Sequence, residues 1–208
     1  MNINLKEFIK DFNFAGDIKE DSIKLLAKYQ CSITLEHSLR VAKKCEELAG
    51  MFGVNKKSAK IAGYLHDISV IVPNDKKLEL CRALGIKILE EEEQFPMILH
   101  QKLSKVIAKE MFNIDDINIL NAIECHTTLR ANGTKLDMIL FISDKLEWDQ
   151  KDIPPYLEEV KMGLDKSLES GVFNYIRYMW NNRTSLKVIH PWLREAYFFY
   201  SGELRGEN

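Results

Sequence analysis

The sequence predicts an all-α fold. Gly and Pro are scarce, ten and five in 208 residues, so few positions break a helix. Apolar residues recur at three- and four-residue spacing in nearly every segment. No segment alternates apolar and polar residues as a half-buried strand would.

The elements follow in order. LKEFIKDF reads as a short helix and EDSIKLLAKY as a second. A long helix is expected from Thr34 to Phe52, with Thr34 as N-cap, Glu36 in the first turn and Gly53 as its end. Residues 55–68 form the next helix, where Ala59, Ala62, Gly63 and His66 share one face. Those small side chains let another helix approach closely. Pro73 starts NDKKLELCRALG, which is helical up to Gly85. IKILEEEEQF is short and strongly acidic, and is expected to be a solvated face rather than a metal site. Pro96 opens a helix around LHQKLSKVIAKEMF, and Asp115 caps DINILNAIECH. TTLRANG is a loop, and LDMILFISDKLEW is the next helix. PPYLEEVKMGLDKSLES continues as a helix after its proline pair. FNYIRYMW and PWLREAYFFY are helical, with aromatic residues expected to pack the last helices.

Bulk properties exclude several classes. The chain is long enough for one domain with a full core, and 46% hydrophobic content supplies it. We expect an N-terminal helical extension over residues 1–20 and the main domain over 21–208, with no repeat or linker. A net charge of −2 provides no basic field for a nucleic acid polymer or a lipid surface. Cys31, Cys45, Cys81 and Cys125 form no C-x-x-C pair, and read as reduced, mostly buried thiols of a cytoplasmic protein. The longest apolar run, MILFIS, is too short to span a bilayer, and the N-terminus lacks a signal-peptide core.

The histidines carry the chemistry. His37 shares an apolar face with Val41, Cys45, Leu48 and Phe52. His100 shares one with Leu103, Ile107 and Met111, and His126 closes the series Ile119, Ala122, Ile123. Asp144 follows Leu140 and Phe141 on one face, and His66-Asp67 ends the small-residue helix. Four of five histidines and two of twelve aspartates therefore face inward from five helices, and His190 does not fit the pattern. Singly, such residues read as hydrogen-bonded core histidines or buried salt bridges. Together they need positive charge, and only Arg40 and Lys145 lie near, each one position off the inward face. One or two divalent cations supply it more simply. Mixed imidazole and carboxylate ligands favour iron, manganese or zinc over calcium.

The order His37, His66-Asp67, Asp144 resembles the HD superfamily of metal-dependent phosphohydrolases. HSLRVAKKCEELA, AGYLHDIS, NAIECHTTLR and ILFISDKLE, together with His100, resemble the YqeK-like branch, the symmetrical bis(5'-nucleosyl)-tetraphosphatases. The likeness spans about residues 25 to 200. It implies an HD-domain helical bundle holding iron first, with manganese or zinc as alternatives. It also implies hydrolysis of diadenosine tetraphosphate to two ADP. By motif, His37, His66, Asp67 and Asp144 would be metal ligands. His100 and His126 would bind a second metal or the phosphate, and Asp67, His100 and His126 would form the catalytic set. Thr127 and Arg130 would touch the phosphates, while Lys145 would orient Asp144 or the substrate. The expected partner is a small nucleotide, and a homodimer is compatible with the family. A different phosphoester substrate, or nucleotide sensing without turnover, are the competing readings. The chain departs from the branch at Val70, where a lysine is usual, at Leu129, where glycine is usual, and at Gln150, where the EPxR arginine is usual.

Overall fold

The computed structural model describes residues 5–148 and 152–205, and all regular structure among them is helical. A 3-10 turn, Leu5–Ile9, precedes α1 (Ile18–Lys28), α2 (Ser32–Phe52) and α3 (Lys56–Leu65). A 3-10 turn at Ile68–Ile71 then leads to α4 (Asn74–Ala83) and the short α5 (Glu90–Gln94). After another at Pro96–Leu99 come α6 (His100–Glu110), α7 (Ile117–Cys125) and α8 (Lys135–Leu146). Then follow α9 (Leu157–Leu164), α10 (Leu168–Asn181) and α11 (Pro191–Arg205).

Local signals explain most boundaries. Asp17 caps α1 by accepting from Glu20 N, and Asn55 caps α3 by accepting from Ser58 N. Gly53, at φ 70°, ends α2 as expected. The helix expected over residues 55–68 ends at Leu65, and the segments starting at Leu5 and Pro96 begin as 3-10 turns. Three further boundaries differ. The helix α2 starts at Ser32, placing Thr34 inside its first turn, because Gln30 at φ 58° turns the chain directly out of α1. The α7 cap is Asp116, which accepts from Asn118 N at 2.9 Å, rather than Asp115. The segment after the proline pair divides into α9 and α10, because Ser167 accepts from Ser170 N and starts a new helix.

The acidic piece also differs from expectation. Glu92 is wholly buried, bonded to Lys102 Nζ at 2.6 Å and Leu89 N at 2.8 Å, with His190 Nε2 at 3.3 Å. A paired cation and a backbone donor offset the cost of burying its charge. His190, off the common pattern in sequence, is the third member of this cluster.

The helices α2, α3, α6, α7 and α8 pack around one core that includes Val41, Cys45, Leu65, Leu103, Ile123 and Leu140. Leu5 and Ile9 bury into the same core. The helices α2 and α3 approach closely: a Cβ on Gly63 would lie 2.5 Å from Ala42 Cα. The aromatic C-terminal third packs as expected, with Trp180 stacked on Tyr197 at 4.7 Å and Tyr200 buried. All four cysteines are free, and burial pushes the Cys45 and Cys81 thiols up to about 12. No helix among the described residues is long and apolar enough to cross a membrane.

Candidate metal centre

Five helices bring six side chains to one place. His37 comes from the start of α2, His66 and Asp67 from the turn after α3, and His100 from the first residue of α6. His126 follows α7, and Asp144 lies in the last turn of α8. His37 Nε2 is 3.0 Å from Asp144 Oδ1 and 3.3 Å from His66 Nε2. Asp67 Oδ2 is 3.5 Å from His66 Nε2, and its Oδ1 is 3.4 Å from Nε2 of both His100 and His126. His100 Nε2 and His126 Nε2 are 3.0 Å apart. Three overlapping groups have ligand atoms within 4.8 Å of one another: His37, His66, Asp67; His66, His126, Asp144; and Asp67, His100, His126.

The other ring nitrogens decide what these atoms are. Nδ1 of His66, His100 and His126 lies 2.8, 2.7 and 2.8 Å from the carbonyls of Gly63, Met97 and Ile123. His37 Nδ1 is 3.1 Å from the Glu147 carbonyl. A carbonyl only accepts, so Nδ1 carries the proton in all four rings. In the neutral imidazoles every Nε2 is then a lone pair aimed at the others. Lone pairs 3.0 to 3.3 Å apart repel unless a proton or a cation lies between them. Backbone carbonyls that fix the tautomer and present Nε2 are the usual support of metal-bound histidine. The donor set therefore fits a divalent first-row ion.

Exposure separates the members of the cluster. The His66 side chain is 0% exposed, whereas Asp67 and His100 are 28% and 22% exposed. Asp67 thus lies on the open side and belongs to two of the three groups, which makes it the natural shared ligand if two ions bind.

Burial lowers the proton affinity of His66, and it drives His100 down to about 4. Burial alone would raise the Asp67 carboxyl, but the His66, His126 and His100 rings, which are protonated in the acid range where it titrates, outweigh it and hold it below the usual range. Asp144 behaves likewise: Lys145, His37 and His66 outweigh burial. A depressed histidine binds fewer protons folded than unfolded, so its stability contribution is full above the ordinary value of 6.5. That contribution is lost as pH falls toward about 4. We expect the melting temperature of the chelator-treated protein to fall on acidification through this window. A calorimetric series that stays flat there would contradict the neutral-imidazole assignment.

The remaining expected residues divide. Thr127 Oγ1 lies 2.9 Å from His100 Nε2, beside the cluster. Lys145, expected to orient Asp144 or the substrate, has its Nζ 2.6 Å from Asp144 Oδ2. Arg130, expected on the phosphates, is engaged elsewhere: its Nε and Nη2 both reach Asp137 Oδ2, at 3.2 and 2.7 Å. Asp137 is buried and also accepts from Thr134 N at the start of α8, so its charge needs that guanidinium. Arg40 pairs with Glu147, at 3.6 Å. Leu129 is buried at φ 42°. Burying a leucine is worth about 1.5–3 kcal/mol. The left-handed backbone costs about 1–2 kcal/mol, so the position tolerates a side chain where glycine is usual. Gln150 lies outside the described residues.

Sequence reasoning missed two supports. Gln101 Oε1 accepts from Thr127 N at 3.2 Å, while its Nε2 donates to Thr128 Oγ1 at 3.2 Å. Ser69 Oγ donates to the His100 carbonyl at 2.8 Å, and Ser104 Oγ donates to Ser69 Oγ. Neither pair shows a spacing that marks it in the sequence. An apolar cavity of about 350 Å³ opens beside Thr127, lined by Phe95, Ile98, Tyr175, Val188 and Leu193 among others.

The HD domain family model matches residues 34–149, more than half of the chain. The chain belongs to the HD-domain family. An uncharacterized protein in the pepC 5' region of Lactococcus lactis subsp. cremoris is 48% identical over 143 residues, 69% of this chain and 72% of that protein. The symmetrical bis(5'-nucleosyl)-tetraphosphatase of Staphylococcus aureus is 33% identical over 113 residues, 53% of this chain and 57% of that protein. A crystal structure of a predicted HD superfamily hydrolase involved in NAD metabolism, from Clostridium acetobutylicum, superposes with a TM-score of 0.78 at 26% identity. That superposition covers 88% of this chain and 97% of the other. This HD-domain protein is accordingly a phosphohydrolase of a metal-dependent family, and the His/Asp groups are those able to hold the metal.

Proposed function

We propose that this HD-domain hydrolase cleaves diadenosine tetraphosphate, or a related dinucleoside polyphosphate, into two nucleoside diphosphates in the cytoplasm. The observation that carries the reading is the convergence of four Nε2 lone pairs and two carboxylates in one cluster, of which Asp67 and His100 line an opening. The tetraphosphatase relatives support the substrate. The apolar cavity beside Thr127 supports it too, since about 350 Å³ can take a nucleobase next to the phosphates.

His37, His66, Asp67 and Asp144 would hold the first ion, with iron preferred over manganese or zinc. His100 and His126 would hold a second with Asp67 shared. When bound, such an ion polarises a phosphoryl oxygen and lowers the pKa of water. Lys145 keeps Asp144 ionised and in place. Hydrolysis joins a water oxygen to phosphorus and breaks one bridging P–O bond. Where one ion binds, His100 stays neutral at pH 7 and its Nε2 can take the proton that water loses. The Thr127 hydroxyl, 2.9 Å away, can donate to a phosphoryl oxygen once substrate displaces its bond to His100. A smaller phosphoester is the second reading, favoured by the engagement of Arg130 with Asp137 and by Val70, which adds no charge at the opening.

A substrate panel with iron(II) or manganese(II), alongside elemental analysis, tests this. ADP as the nucleotide product of diadenosine tetraphosphate is the expected result. Phosphate release from monophosphates alone would sink it in favour of the second reading. Filling the cavity with Val188→Trp should raise KM for the dinucleotide by about tenfold and leave turnover of p-nitrophenyl phosphate unchanged. Equal effects on both substrates would remove the cavity from the binding site.

A further inference from the structure

Lys77 and Lys102 are buried, and Lys145 is mostly so. Two have a carboxylate at 2.6 Å, Glu92 for Lys102 and Asp144 for Lys145. Lys77 differs. Its side chain, on α4, is 3% exposed, and its ammonium donates to two neutral acceptors, the Val72 carbonyl at 2.8 Å and Asn74 Oδ1 at 2.7 Å. No carboxylate among the described residues lies within ion-pair distance of it. Asp67 acts on it from beyond that distance, so the charge of this buried ammonium is only partly compensated, which is costly. Its position bears on function. Lys77 lines an opening of about 260 Å³ together with Asp67, Val70, Asn74, Met97 and His100. Two of these belong to the metal centre and are its more exposed members. Val70 and Met97 make the rim apolar, so Lys77 is the one cation among the lining residues.

We propose that Lys77 binds a phosphate of the polyphosphate chain next to the one that reacts. The inference rests on the nucleoside polyphosphate reading and assigns that substrate's second anionic contact to α4. An oxygen of the flanking phosphate takes the place on the ammonium that a carboxylate takes on Lys102 and Lys145. The charge-assisted bond then forms in a partly desolvated opening, where it is strong. The apolar rim leaves the anion few other partners, so length of the phosphate chain becomes a criterion of selection.

Lys77 also ties the Val72 carbonyl to the start of α4, and the experiment separates that structural role. Lys77→Gln keeps a donor and removes the charge; Lys77→Arg keeps the charge. Binding of inorganic pyrophosphate and of ADP is measured by calorimetry on metal-loaded protein, at one fixed manganese(II) concentration. Melting temperature and metal content are measured on the same samples. We expect Lys77→Gln to bind both probes roughly tenfold more weakly, Lys77→Arg to retain most affinity, and metal content to be equal in all three. Unchanged affinity in Lys77→Gln overturns the proposal. So does an equal loss in both variants that follows a fall in melting temperature. If the wild type fails to hydrolyse diadenosine tetraphosphate, the parent reading falls, while the pyrophosphate comparison still decides Lys77.

Discussion

His66→Ala is expected to remove bound metal and turnover together. His66 is wholly buried and belongs to two of the three ligand groups. Its Nε2 lies 3.3 Å from His37 Nε2, 3.5 Å from Asp67 Oδ2 and 3.7 Å from Asp144 Oδ1. The Gly63 carbonyl holds the ring from behind, so that Nε2 is fixed toward those ligands. Losing a residue that merely orients a metal ligand costs about 10–100-fold. Losing the ligand itself should cost more than that in turnover. Elemental analysis should find the variant free of metal, with its circular dichroism spectrum retained. A variant that keeps stoichiometric metal and a tenth of the wild-type rate would end the assignment.

Gly63→Ala should produce a large loss of stability from a single methyl group. The added Cβ would lie 2.5 Å from Ala42 Cα and 2.8 Å from Ala42 N, both backbone atoms of α2. Neither can rotate away, so α2 and α3 must separate. Overpacking of this kind costs on the order of 3 kcal/mol, about 6–12 °C in melting temperature for a domain of this size. The same shift moves His37 on α2 away from His66 after α3, so metal affinity should fall as well. Gly202→Ala is the control: its Cβ meets nothing within 4 Å, and alanine is the better helix former. That variant should melt at or slightly above the wild-type temperature. If Gly63→Ala melts with it, the close approach of α2 and α3 is wrong.

Much of the site was legible because helical periodicity reports which residues share a face. His37, His100, His126 and Asp144 each stand in an apolar row, and a polar group in such a row must meet a partner across the core. Those residues do converge with His66 and Asp67. Periodicity says nothing of what lies opposite. Arg130 was expected on the phosphates from its place after His126, but a carboxylate seven residues on, buried at the start of α8, holds its guanidinium. Glu92 looked solvated within an acidic run, and tertiary packing placed Lys102 and His190 around it. Lys77 carries no signal in the sequence beyond being a lysine on α4.

The sequence alone determined the helices and the inward-facing imidazoles and acids, because both follow from local rules of spacing and burial. Only the tertiary structure decided which nitrogen of each ring faces its neighbours, since carbonyls of Gly63, Met97, Ile123 and Glu147 select the tautomers. It alone decided, too, which buried cations have a carboxylate within ion-pair distance and which has none among the described residues. Ion pairing depends on atoms brought within a few ångströms from distant points of the chain, and no local pattern encodes that distance.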